Sequence, residues 1–72
     1  MAHYQLTIKA NKRPETLERI LRVIRHRGFE VKSLNVEEND TVFDLKLTLT
    51  SQRPLSLLTH QLDKLFDVIE IN

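Results

Sequence analysis

Three groups of residues in this chain carry side chains from which chemistry could be built. The first is the histidines His3, His26 and His60. Histidine ligates metals and moves protons near neutral pH. A metal site also needs close ligand spacing, usually completed by Cys or carboxylates. These three are dispersed along the chain, and there is no Cys. Solvated surface histidines are the preferred reading, and no metal site is expected. The second group is the basic run Arg13, Arg19, Arg22, Arg25 and Arg27, offset locally by Glu15 and Glu18. A helix with such a surplus can meet phosphates or dock onto an acidic protein. The simpler reading is a solvated face of ion pairs whose last arginines complement the helix dipole. Arg19, Arg22, Arg25 and His26 are the candidate partner contacts. The third group is the segment Asn11, Lys12, Arg13, Pro14 and Glu15, which joins a strand to a helix start. Free backbone N–H groups and the helix dipole attract a carboxylate there. This is the candidate effector loop, although an ordinary connection is the simpler reading.

Catalysis finds little support. No nucleophile stands beside a base, and no carboxylate pair frames a cleft. An acylphosphatase-like reading would ask for an Arg in the loop before the first helix and an Asn on a later strand. Arg13 and Asn11 echo this only crudely, without a glycine-rich cradle. A single Gly also excludes a phosphate loop of the P-loop or dinucleotide kind.

The elements that must position these residues follow from periodicity. Residues 3–10 alternate, with Tyr4, Leu6, Ile8 and Ala10 on one side, which predicts a half-buried strand. The spacing of Leu17, Ile20, Leu21 and Ile24 predicts a helix over 14–27, opened by Pro14. Glu15–Arg19 and Glu18–Arg22 are i, i+4 pairs in the favourable order. Gly28 ends the helix, with Phe29 set to touch Ile24 in a Schellman-type stop. Arg13 is a poor N-cap. Residues 30–37 predict a second strand, with a bulge near Lys32-Ser33 because Val31 is out of phase with Leu34. After the turn at Glu38-Asn39-Asp40, residues 42–50 form a third strand, with Phe43, Leu45, Leu47 and Leu49 on one face. Leu55, Leu58, Leu62 and Leu65 mark a second helix, with Leu57 off its stripe. Residues 66–71 close with a short strand of ambiguous facing. The order βαββαβ, with one polar face per clear strand and one apolar stripe per helix, requires an α+β sandwich of two layers. The open sheet face carries Thr7, Asp44, Lys46 and Thr48 rather than aromatics, so single-strand RNA reading is weak and no nucleic-acid partner is expected.

At 72 residues, 40% hydrophobic and 29% charged with net charge +1, the chain is one small domain spanning 1–72. No apolar run is long enough to span a membrane. Met1-Ala2-His3-Tyr4 lacks the features of a secretory signal, and a Cys-free chain suits a reducing compartment, so a cytoplasmic location is expected. A chain this short buries about 60% of its unfolded surface. With a core surplus of roughly 3–5 kcal/mol, it is expected to associate with other chains.

The run from Arg13 through Arg25-His26-Arg27-Gly28-Phe29-Glu30-Val31 resembles an ACT domain. More narrowly, it resembles the small regulatory subunits of acetolactate (acetohydroxyacid) synthase, especially the short isozyme II type. The stretch from Gln61 to Val68 resembles the second helix and last strand of the same family. The resemblance implies a ferredoxin-like fold with antiparallel sheet order 4-1-3-2 and a homodimer paired through edge strands. It implies a large catalytic subunit as partner, which this chain would activate for branched-chain amino-acid (valine, leucine, isoleucine) biosynthesis. That partner would carry thiamine diphosphate, Mg and FAD. No cofactor and no catalytic residue is expected here. Valine-sensitive small subunits have an Asn and a Gly where Lys12 and Glu15 stand in this chain. A Glu15 carboxylate at the helix start would compete with an effector's own, so little or no valine inhibition is expected. A free-standing amino-acid-sensing ACT module is the alternative reading.

Overall fold

The apolar and polar alternation in β1 (Ala2–Asn11) and β3 (Val42–Ser51) sets the layering. In the computed structural model, which describes all 72 residues, these strands pair antiparallel without a break from Ala2↔Ser51 to Asn11↔Val42. Leu6 faces Leu47, Ile8 faces Leu45 and Ala10 faces Phe43, and all six are buried. The intervening Gln5, Lys9 and Lys46 are exposed on the other face. With β2 (Glu30–Asn39) and β4 (Val68–Ile71), the four strands form one sheet in the order β2-β3-β1-β4. Counted from the other edge this is the 4-1-3-2 order of the ferredoxin-like fold. Helices α1 (Thr16–His26) and α2 (Leu55–Leu62) complete the second layer. They contribute Ile20, Ile24, Leu58 and Leu62 to a core of 12 buried apolar side chains.

Both edge strands carry a bulge, and each explains an irregular apolar pattern. In β2 the register slips between Val31 and Ser33, leaving Lys32 unpaired. Val31 and Leu34 therefore both pack against the core despite their odd spacing. The bulge lies where the sequence places it. In β4 the pairing runs Ile8↔Ile71, Lys9↔Glu70 and Ala10↔Val68, which leaves Ile69 without a partner. Val68 and Ile71 thus both turn inward while Ile69 is exposed. The ambiguous facing of this segment is the signature of the bulge.

The helix ends differ from the sequence reading. α1 begins at Thr16 rather than Pro14, with Glu15 at the N-cap and no side-chain cap bond. None of Arg13, Pro14 and Glu15 has the short side-chain acceptor that caps well. The chain instead enters through a turn in which the Thr16 N–H donates to the Arg13 carbonyl at 3.2 Å. The other end matches expectation. Gly28 adopts φ 85°, its N–H donates to the Arg25 carbonyl, and the Phe29 N–H donates to the Ile24 carbonyl, each at 3.1 Å. These are the two bonds of a Schellman stop. α2 ends at Leu62, short of Leu65. Tight turns closed by Lys64 N–H to the Gln61 carbonyl and Leu65 N–H to the Leu62 carbonyl carry the chain on. Phe66 lies before β4 rather than within it and is exposed.

A Cβ at Gly28 would sit 2.9 Å from the Arg53 Nε. That arginine is a flexible end that can move aside, so the positive φ dominates the cost. Gly28→Ala is expected to destabilise the fold by about 1–2 kcal/mol, read as a lowered urea midpoint at unchanged m-value.

Candidate effector loop and cationic helix face

Loop 11–15 leaves the end of β1 and turns into α1, and the chain ties it down at successive points. The Asn11 N–H donates to the Asp67 carbonyl at 2.7 Å, and the Lys12 N–H to the Thr41 carbonyl at 2.8 Å. Lys12 Nζ lies 3.1 Å from Glu38 Oε2, with both side chains exposed. Arg13 Nε lies 3.1 Å from Asp67 Oδ1, and that carboxylate is only 7% exposed. The Thr16 hydroxyl, itself buried, donates to the other carboxylate oxygen at 3.5 Å. The Arg13 guanidinium also stands over the Phe66 ring, 5.7 Å from its centroid. Glu15 points to solvent at the start of α1 and caps nothing.

The internal carboxylate at this loop is therefore Asp67, not Glu15. Sequence reasoning missed Asp67, Thr16 and Phe66. One signal was available: Asp67 interrupts the apolar run Leu65-Phe66-Asp67-Val68-Ile69, and an acid so placed is usually buried only when paired. A hollow of about 300 Å³ remains beside the loop, lined by Lys12, Arg13, Pro14, Leu17 and Phe43.

The second candidate region is the outer face of α1. Thr16, Ile20 and Ile24 are buried, so the opposite side carries Glu18, Arg19, Arg22, Arg25 and His26, all exposed. The expected ion pairs Glu15–Arg19 and Glu18–Arg22 do not form. The ion pairs present are Lys12–Glu38, Arg13–Asp67 and Lys32–Glu30. Holding two long exposed side chains together gains little over solvation. Arg27 donates instead to the Gln61 side-chain oxygen at 3.1 Å. Arg19, Arg22 and Arg25 stand as free cations. Beside them a groove of about 380 Å³ runs between α1 and the unpaired edge of β2, lined by Leu21, Arg25, Phe29, Glu30, Val31 and Leu34.

His3, His26 and His60 stay apart, and no group of three or more His, Cys, Asp or Glu side chains comes together to hold a metal. No helix is long and apolar enough to cross a membrane.

The chain is thus a one-sided βαββαβ sandwich with a tied strand-to-helix loop. The sequence profile of the ACT domain matches residues 12–71. The chain is 44% identical over 73 residues to the acetolactate synthase isozyme 2 small subunit of Escherichia coli (strain K12), covering 99% of this chain and 84% of that protein. Its fold matches the crystal structure of the acetolactate synthase small subunit from Thermotoga maritima with a TM-score of 0.85 at 16% identity, over 100% of this chain and 47% of that one. It also matches the ACT domain of the GTP pyrophosphokinase of Chlorobium tepidum with a TM-score of 0.84 at 17% identity, over 97% and 94% of the two chains. The chain belongs to the ACT-domain family, in the branch of the acetolactate synthase small subunits.

The two ion pairs of the loop differ in worth because one is buried and the other is not. Asp67→Ala removes a charge-assisted pair and leaves the Thr16 hydroxyl buried without its acceptor, so a loss of about 2–3 kcal/mol is expected. Lys12→Ala should cost under about 1 kcal/mol. Thermal unfolding checks this: the two changes should differ in midpoint by several degrees.

Proposed function

We propose that this chain is the non-catalytic regulatory subunit of an acetolactate synthase, and that it binds and activates the large catalytic subunit without responding to valine. The observation that carries this reading is the 44% identity spread over 99% of the chain to a small subunit of that enzyme. Thiamine diphosphate, Mg and FAD belong to the large subunit in this reading. The small subunit acts by binding the active conformation of its partner more tightly than the inactive one, which shifts the population toward activity.

Two surfaces serve the assembly. The free cations Arg19, Arg22 and Arg25, with His26, offer a contact for an acidic patch on the large subunit. The ten-residue strand β2 has one unpaired edge, whereas β4 is four residues long and bulged. The bulge of β2 lies near its start at Lys32, so residues 33–39 still offer a long unbroken edge to another strand, and homodimerisation runs through β2. Insensitivity to valine follows from the loop. In support, the Arg13 cation of this loop is already paired with the internal carboxylate of Asp67, which also accepts from the Thr16 hydroxyl.

Co-purification with the large subunit, followed by an acetolactate assay with and without this chain, tests the assignment. A large subunit that neither binds this chain nor gains activity from it would end the proposal. In the reconstituted enzyme, valine at concentrations that inhibit sensitive isozymes should leave the rate unchanged. Reversing the charges of Arg19, Arg22 and Arg25 to Glu should weaken association at least roughly tenfold. The loss should shrink as salt is raised, because the contact is screened.

A further inference from the structure

Arg13 is the only arginine whose guanidinium meets a carboxylate. The pairing is asymmetric, since the arginine side chain is 56% exposed and the Asp67 side chain 7%. Seen from outside, a buried carboxylate lies beneath a partly exposed cation. Asp67 is fixed from below, with Oδ2 taken by the Thr16 hydroxyl and its own backbone carbonyl by the Asn11 N–H at 2.7 Å. The wall beside it is the Phe66 ring, which is 76% exposed and takes no part in the core. An aromatic face next to a desolvated carboxylate is a receptor for an organic cation: the ring quadrupole and the carboxylate both attract positive charge. Phe66 and Asp67 are adjacent and immediately precede β4, so the two walls come from one short segment held by the sheet.

We propose that Asp67, Thr16 and Phe66 form a binding site for a small organic cation, of the alkylguanidinium or primary alkylammonium class, and that Arg13 is its tethered occupant. The site is not seen as a cavity because the chain fills it with its own side chain. Tethering gives Arg13 a high effective concentration at the site, so a free cation at ordinary concentration does not displace it. The site opens to solution when the side chain of Arg13 is removed. The site belongs to this chain alone, whatever enzyme the chain binds.

The test is complementation of Arg13→Ala by ethylguanidinium chloride at millimolar concentration. Sodium chloride at equal ionic strength is the control, and the thermal midpoint of the isolated chain is the readout. Arg13→Ala should unfold at lower temperature than the parent and regain several degrees saturably with ethylguanidinium. The parent should show no such rise, and the double variants Arg13→Ala/Asp67→Asn and Arg13→Ala/Phe66→Ala should lose most of it. Arg13→Gln, which keeps part of the aliphatic stem, provides a second background in case the alanine variant folds poorly. Perturbation of the Asn11 amide resonance on titration gives a second readout in either background. A response in Arg13→Ala or Arg13→Gln no larger than that to sodium chloride overturns the proposal. So does an equal response in the double variants, because the cation would then be binding elsewhere.

Discussion

The unbroken antiparallel register of β1 on β3 is the constraint on which the rest of the structure depends. Side chains along a strand alternate faces, so one pairing decides every facing at once. With Leu6 opposite Leu47 and Ile8 opposite Leu45, the pairs Thr7–Lys46 and Lys9–Asp44 must lie on the other side. A slip of one residue would turn the polar side chains of β1, Lys9 among them, into the core. Only one face of the central strands is apolar, so both helices must pack there and the other face stays open. The irregularities are confined to the edges. β2 and β4 each take up a bulge that brings mismatched apolar residues into line with the fixed centre.

A sheet covered on one side leaves its strand ends and its helix starts near the surface, and the β1-to-α1 loop must be stabilised by something other than core packing. The buried carboxylate of Asp67 does this. It binds the loop through Arg13, the first residue of α1 through Thr16, and the end of β1 through its own carbonyl. A buried charge is costly unless paired and hydrogen-bonded. Here the side chain has two partners from two different segments. Losing either partner leaves the carboxylate under-satisfied, so the three segments are held as one unit.

The parts of this structure that rest on local rules were legible in the sequence. Alternation gave β1 and β3, the i, i+3, i+4 stripe gave α1, Gly28 gave its end, and the mismatch of Val31 with Leu34 gave the bulge. The parts that rest on distant partners were not. Thr16 and Asp67 are 51 positions apart, and nothing within either segment announces the other. The loop 11–15 was therefore recognisable by its residue types, whereas its closure by Arg13 and Asp67 was not. The i, i+4 rule failed for a different reason. It marks Glu15–Arg19 and Glu18–Arg22 as possible pairs, but at the surface water competes on nearly equal terms. Those arginines stay free, and their freedom gives the outer face of α1 its charge.

The net charge of +1 conceals a segregation that bears on assembly. Between residues 19 and 27 stand four arginines and no acid; between 37 and 44 stand Glu37, Glu38, Asp40 and Asp44 and no base. The first group lies on α1 just before β2 begins, and the second surrounds the hairpin that joins β2 to β3. β2 thus runs from a basic end to an acidic one. If two copies met along this edge in parallel, like ends would lie together, arginines by arginines and acids by acids. Antiparallel pairing sets the acidic hairpin of one copy beside the arginine-rich helix end of the other. It also gives the two-fold symmetry in which each copy uses the same surface. Screening by salt weakens these fields but does not change their sign. The charge pattern therefore favours the antiparallel sense for the dimer we propose through β2, and Arg19 and Arg22, further from the helix end than Arg25 and His26, would carry most of the contact proposed with the large subunit.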